Sequence, residues 1–327
     1  MTDLVDKSSA PLSAEAHFER LLSPHRIETR LAFFEIDEVG LPAISATFIH
    51  PRFRQSKVLV DELCDKLISR ITSFCMTRAE RREAKMLDSQ YEYETAATDE
   101  LNAKARRLFI NALNKPSRSG EGGELLLFVL VEEHLRAPLL VSKMRLKTNA
   151  QMPVYGSDGI HAGWDTDSNS LILYLGESKL HKPLDAAVRD AVKSLEGLIS
   201  NAEERMTHEL NLASSYCDLD GMSEEMKKEM LLYLNPWDTV ESTKREDRYA
   251  VLLGFNEKSY AELVNMPPKE VEEKFKELYK KTIKDKLEYT KNKFEEQGIS
   301  LESVDLFFFP VPSVDEFRKS FQSKING

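Results

Sequence analysis

Two apolar periods alternate along this chain and predict its elements. Residues 31–49, LAFFEIDEVGLPAISATFI, place β-branched and aromatic side chains on both sides of Gly40-Leu41-Pro42, which predicts two short strands and a turn. The period then changes. Val60, Leu63, Cys64, Leu67, Ile68, Ile71, Phe74 and Cys75 share one face at helical spacing and predict a single helix. Its exit, TRAERREAK, reads as a solvated basic face, with DNA contact as the other use of such charge. A further helix over Leu101–Leu113 stops before NKPSRSGEGGE, whose Pro, Ser and Gly mark the clearest boundary in the chain. That stretch lacks G-x-x-x-x-G-K-S/T, so its glycines read as a linker and not as a phosphate loop.

Beyond the boundary the pattern predicts a helix from about Gly123 to His134 and strands over Leu139–Lys147, Val154–Ile160 and Leu171–Lys179. A helix follows from Pro183 to about Arg205, and later RYAVLLGF reads as a strand. The long helix from near Pro268 to before Gly298 carries Val271, Phe275, Leu278, Tyr279, Ile283, Leu287 and Phe294 as a packing stripe. VDLFFFPVP is a last strand and SVDEFRKSF a short amphipathic helix. These elements divide into an N-terminal accessory region, 1–118, and a second unit, 119–327. Within the second unit, 119–200 form a core and 201–327 complete its sheet.

Composition narrows the class. A chain of 327 residues with 41% hydrophobic and 31% charged content is an ordinary globular protein. Its longest apolar run, LLLFVLV, is far short of the roughly 20 residues of a membrane span. The N-terminus shows no basic start followed by an apolar stretch, so a cytoplasmic protein without membrane contact is expected. Cys64, Cys75 and Cys217 are too scattered for a disulfide framework or a zinc site and are expected to be buried thiols. A net charge of −10 argues against gripping nucleic acid by bulk charge. Any DNA contact must be local, metal-assisted or made through a partner.

Candidate chemistry centres on SLILYLGESKLH, where an apolar strand ends in Gly176 and then presents Glu177 and Lys179 on one face. The spacing alone is weak, since Glu83–Lys85, Glu225–Lys227 and Glu272–Lys274 repeat it in charged helical surroundings. Context separates Glu177 from these. Asp158, in VYGSDGIH, lies on a preceding strand that the polar stretch GWDTDSNS can fold back beside it, and Glu124 starts the helix before both. Two or three carboxylates on adjacent elements can seat Mg²⁺ or Mn²⁺, and Lys179 can orient water or neutralise developing charge. Three converging carboxylates would also repel one another without metal, so Asp158→Asn is expected to stabilise the apo chain.

These residues, in the order helix, strand, strand, helix, resemble the PD-(D/E)XK nuclease core. GEGGELLLF, VYGSDGIH, GESKLH with AVRDAVKSL, and FFFPVPSVDEFRKSF are more closely similar to the nuclease subunit of the Hachiman anti-phage defence system. Ser157 stands where the superfamily pattern has a proline. The resemblance implies a restriction-endonuclease-like α/β fold, with a mixed sheet flanked by helices, a mixed N-terminal region and a helical C-terminal extension. It implies a metal-dependent DNA nuclease in residues 119–327, with Asp158, Glu177, Lys179 and Glu124 as the site and Asp158, Glu177 and Glu124 on the metal. A helicase partner that restrains the enzyme follows from the same resemblance. The rival readings are a non-catalytic subunit that keeps the fold to dock on a helicase, and a sequence-specific restriction enzyme.

Other residues have plainer readings beside functional ones. Lys143, Arg145 and Lys147 alternate and offer a DNA-backbone track or the guarded edge of a sheet. His161, three residues after Asp158, faces the other way on a continuing strand and reads as structural. His134 and His181 have no spaced partner for zinc, and Trp164 and Trp237 read as packing or turn residues.

Overall fold

Residues Val304–Val311 form strand β9, the last strand among the described residues and buried along its whole length. Leu306 and Phe308 enter the core on one side, Phe307 and Phe309 the core on the other. A strand buried on both faces belongs in the middle of a sheet covered twice. The computed structural model describes residues 12–34, 45–113, 120–142, 144, 156–199, 202–235, 237, 245–264 and 266–326. Among these, β1 (Leu31–Phe34), β2 (Ser45–Pro51), β5 (Leu139–Ser142), β6 (Gly159–Asp165), β7 (Ser170–Leu180) and β8 (Arg245–Asn256) join β9 in one sheet, ordered β1-β2-β9-β8-β7-β6-β5. β2, β9, β8 and β7 run parallel, while β1, β6 and β5 pair antiparallel at the flanks. A small hairpin, β3 (Phe53–Arg54) with β4 (Lys57–Val58), stands apart.

The helices are α1 (Ala14–Leu21), α2 (Val60–Ile68), α3 (Ile71–Cys75), α4 (Arg78–Asp88), α5 (Ala96–Leu113) and α6 (Glu121–His134). They continue as α7 (Leu184–Ile199), α8 (Ala202–Tyr216), α9 (Glu224–Tyr233), α10 (Val271–Glu296) and α11 (Val314–Asn326). One apolar layer gathers α2, α3, α6 and α11 against the sheet through Leu63, Phe74, Leu127 and Phe317. The opposite layer is made by α7 and α10 through Val188, Leu195, Phe275 and Tyr279. The architecture is α/β, a mixed sheet flanked by helices. Strands from both sides of the 118/119 boundary lie in that one sheet, because β2 pairs with β9.

Several boundaries differ from the sequence pattern. The single helix expected over Val60–Cys75 breaks after Ile68, where the Ser69 hydroxyl takes the Lys66 carbonyl. TRAERREAK is a separate helix, α4, and not the exit of the one before it; it opens with a capping box between Thr77 and Glu80, and its face is solvated as expected, with Ala84 its one buried residue. Arg78 of that helix turns inward, 3.2 Å from Asp218 and 3.7 Å from Glu132. The strand expected to end at Ile160 instead starts at Gly159 and runs on to Asp165. Helix Pro183–Arg205 divides into α7 and α8. Cys64 and Cys75 are buried, Cys217 half-buried, and burial pushes the Cys64 thiol up to about 12. The turn at Gly40-Leu41-Pro42 and the linker 114–119 lie outside the described residues. No helix among the described residues is long and apolar enough to cross a membrane.

Candidate active site

Alternation along β7 sends Leu171, Leu173 and Leu175 into the core beneath α7, and Tyr174 and Leu180 into the core beneath α6. Glu177 and Lys179 continue the first row, on the α7 side. Glu177 is 8% exposed, and its Oε1 lies 2.6 Å from Lys179 Nζ. Burial works against the Lys179 ammonium. Glu177 beside it, with Asp158 and Asp190 farther off, outweighs that and holds its pKa above the ordinary lysine value. Lys179 is therefore a fixed cation at neutral pH, suited to orienting and neutralising charge and not to acting as a base.

β6 begins at Gly159, opposite Gly176, and so leaves the flank of Glu177–Leu180 without a ladder partner from that strand. Asp158 fills the first position of that flank. Its N–H donates to the Gly176 carbonyl at 2.8 Å, and its Oδ2 accepts from the Ser178 N–H at 2.9 Å and the Ser178 hydroxyl at 3.1 Å. The carboxylate stands in for the main-chain carbonyl that a longer β6 would have supplied. Continuing the register places Asp158 across from Glu177, and it is equally buried.

Glu124 sits in the first turn of α6, half-buried. That turn rests on the other face of β7: a Cβ on Gly123 would stand 2.3 Å from Leu180 Cδ1 and 3.2 Å from Ser178 Oγ. Glycine there lets the helix approach the strand, which is the physical use of the GEGGE stretch. The first turn of α6, which carries Glu124, is thus held against the end of β7. Among the described residues no group of three or more His, Cys, Asp or Glu is arranged to hold a metal ion. The structure brings Asp158, Glu177 and Lys179 together. Lys143, Arg145 and Lys147 lie outside the described residues.

His161 belongs to the α6 face, where Nδ1 bonds the Ala137 carbonyl at 2.9 Å and burial pushes its pKa down to about 4. It is a structural histidine. Trp164 packs against Phe18 and Tyr233, and Trp237 stands exposed in a turn. Sequence reasoning missed Ser178, which holds Asp158, and the pair made by His181 Nε2 and Asp190 Oδ2 at 2.8 Å. His181 continues the row of Glu177 and Lys179, so period-two spacing alone would have found it. Asp190 arrives from α7 and had no such signal.

Two buried carboxylates on neighbouring chain segments suit a hard cation that takes one or two carboxylates and keeps several waters. Asp158 and Glu177 are the residues that would hold it. No curated protein matches the chain. The model of the HamA family matches residues 32–325, nearly the whole sequence. The chain therefore belongs to the HamA family and is a component of the Hachiman anti-phage defence system.

Proposed function

We propose that this chain is a Mg²⁺- or Mn²⁺-dependent deoxyribonuclease that hydrolyses phosphodiester bonds for its defence system under the control of a helicase subunit. The observation that carries the reading is the buried Glu177–Lys179 pair, 2.6 Å apart, with Asp158 across the open flank of the same strand. The bound ion would supply Lewis-acid activation of water and charge stabilisation at the phosphate. Asp158 and Glu177 would bind that cation. Lys179, kept protonated by Glu177, would hold a phosphate oxygen or the attacking water as negative charge develops. A net charge of −10 supports delivery of DNA by a partner and not by this surface alone.

The test is plasmid cleavage in Mg²⁺ by the chain with its helicase neighbour, compared with Glu177→Ala and Lys179→Ala. Each substitution should lower the rate by about 100-fold or more, the scale of losing one electrostatic group in a site. A loss below tenfold in both would end the nuclease reading. The docking-subunit reading expects wild type and both variants to be inert alike.

A further inference from the structure

Asp158 is approached from its N-terminal side by a residue of the C-terminal part of the chain. Glu209, on α8, is 2% exposed. Its Oε1 accepts from the Ser157 N–H at 2.9 Å and its Oε2 from the Ser157 hydroxyl at 2.8 Å. Gly156, one residue earlier, has φ +145°, and a Cβ there would stand 2.3 Å from Glu209 Oε1. The carboxylate occupies the space a side chain at 156 would need, so glycine, bend and acid are one fitted unit. Glu209 makes no ion pair among the described residues. A buried carboxylate is tolerated only where donors answer it, and here both donors come from the residue before Asp158.

We infer that Glu209 is a positioning residue for Asp158. The bend 156–158 is fixed upstream by α8 through Glu209, and downstream by β7 through the Gly176 carbonyl and the two Ser178 donors. Without the upstream hold, Ser157 would release its two bonds and the Asp158 carboxylate would swing about its attachment to β7. A cation ligand that swings binds its metal weakly, because the ordering must then be supplied on binding. This rests on the reading of Asp158 as a metal-binding carboxylate.

The experiment titrates Mn²⁺ into the full chain and follows the melting temperature, which rises by mass action when the folded state binds metal. Glu209→Ala should shift the Mn²⁺ midpoint upward by about tenfold or more, the usual effect of removing an outer-shell partner. Glu209→Gln should stay near wild type, since its carbonyl still accepts from the Ser157 N–H and its amide can donate to the hydroxyl. Ser157→Ala removes one bond without opening a cavity and should fall between the two, and it carries the test if Glu209→Ala does not fold. A Mn²⁺ midpoint unchanged in the folded variants, whatever their stability in chelator, overturns the inference and leaves the site reading intact. Wild type that shows no Mn²⁺ response overturns both.

Discussion

The Asp158 carboxylate accepts two hydrogen bonds from Ser178, and Glu177 is neutralised by an ammonium 2.6 Å away. Donors of β7 thus answer the Asp158 carboxylate and an ammonium answers Glu177, which offsets the like-charge repulsion expected of converging acids. The sequence-based expectation for Asp158→Asn is therefore reversed. An amide oxygen is a weaker acceptor than a carboxylate, so the variant should be less stable than wild type in chelator by about 0.5–1.5 kcal/mol, and should gain less from Mn²⁺. Thermal melts with and without metal decide it: a variant that melts above wild type in chelator would restore the repulsion. Glu177 and Lys179 were legible because strand alternation fixes their common face from spacing alone. Ser178 and Glu209 were not, since their bonds to 158 and 157 join positions 20 and 52 residues apart and exist only once the bend is formed.

The strands of the parallel centre were legible as elements because a strand buried on both faces is a continuous apolar run, as in β9. Breaks within helical patterns were not, because apolar spacing continues across the turn between α2 and α3 and no Gly or Pro marks it. Helix α6 is apolar on nearly every side, and its last turn carries a buried and a half-buried acid. Burial raises the pKa of Glu132, yet His25 at 2.6 Å, the Leu139 N–H and Arg78 together hold it below the ordinary value. For Glu133, burial and the neighbouring Glu28 carboxyl act together and raise its pKa to about 7. Because this exceeds the ordinary value of 4.5, the folded chain holds an extra proton between those limits. The associated stability is complete below pH 4.5 and is lost as pH rises through about 7. His50 and His161, both pushed down to about 4 by burial, act in the opposite sense, losing stability as pH falls below 6.5. The difference between variants is therefore the informative quantity. Glu133→Gln keeps an acceptor for the Ile27 N–H and removes the titration. In denaturant melts from pH 5 to 8 it should gain on wild type as pH rises, and a constant difference would place the extra proton elsewhere.

Across the whole molecule, contacts between early and late segments decide whether residues 119–327 can stand alone. β2 covers the edge of β9 from Asp305 to Phe308, and Phe307, Phe308 and Phe309 are fully buried. Arg78 binds Asp218 and the Leu139 and Asp218 carbonyls, while His25 answers Glu132 from the loop after α1. Deleting the first 118 residues would turn β9 into an apolar edge with unpaired main-chain groups, a template for aggregation. It would also leave Glu132 buried without His25 or Arg78, and breaking a buried pair from one side costs about 3–5 kcal/mol. Set against a total stability of roughly 5–15 kcal/mol for a folded protein, that loss and the lost packing of α2 and α3 on α6 leave no margin. The fragment 119–327 should therefore be insoluble or melt without cooperativity, although the sequence boundary at 118/119 predicts a separate unit. Size-exclusion chromatography and circular-dichroism melts of the fragment beside the full chain check this. A monodisperse fragment with one sharp transition would show that β1, β2 and the first helices are an accessory layer after all, and that residues 119–327 keep their own core without them.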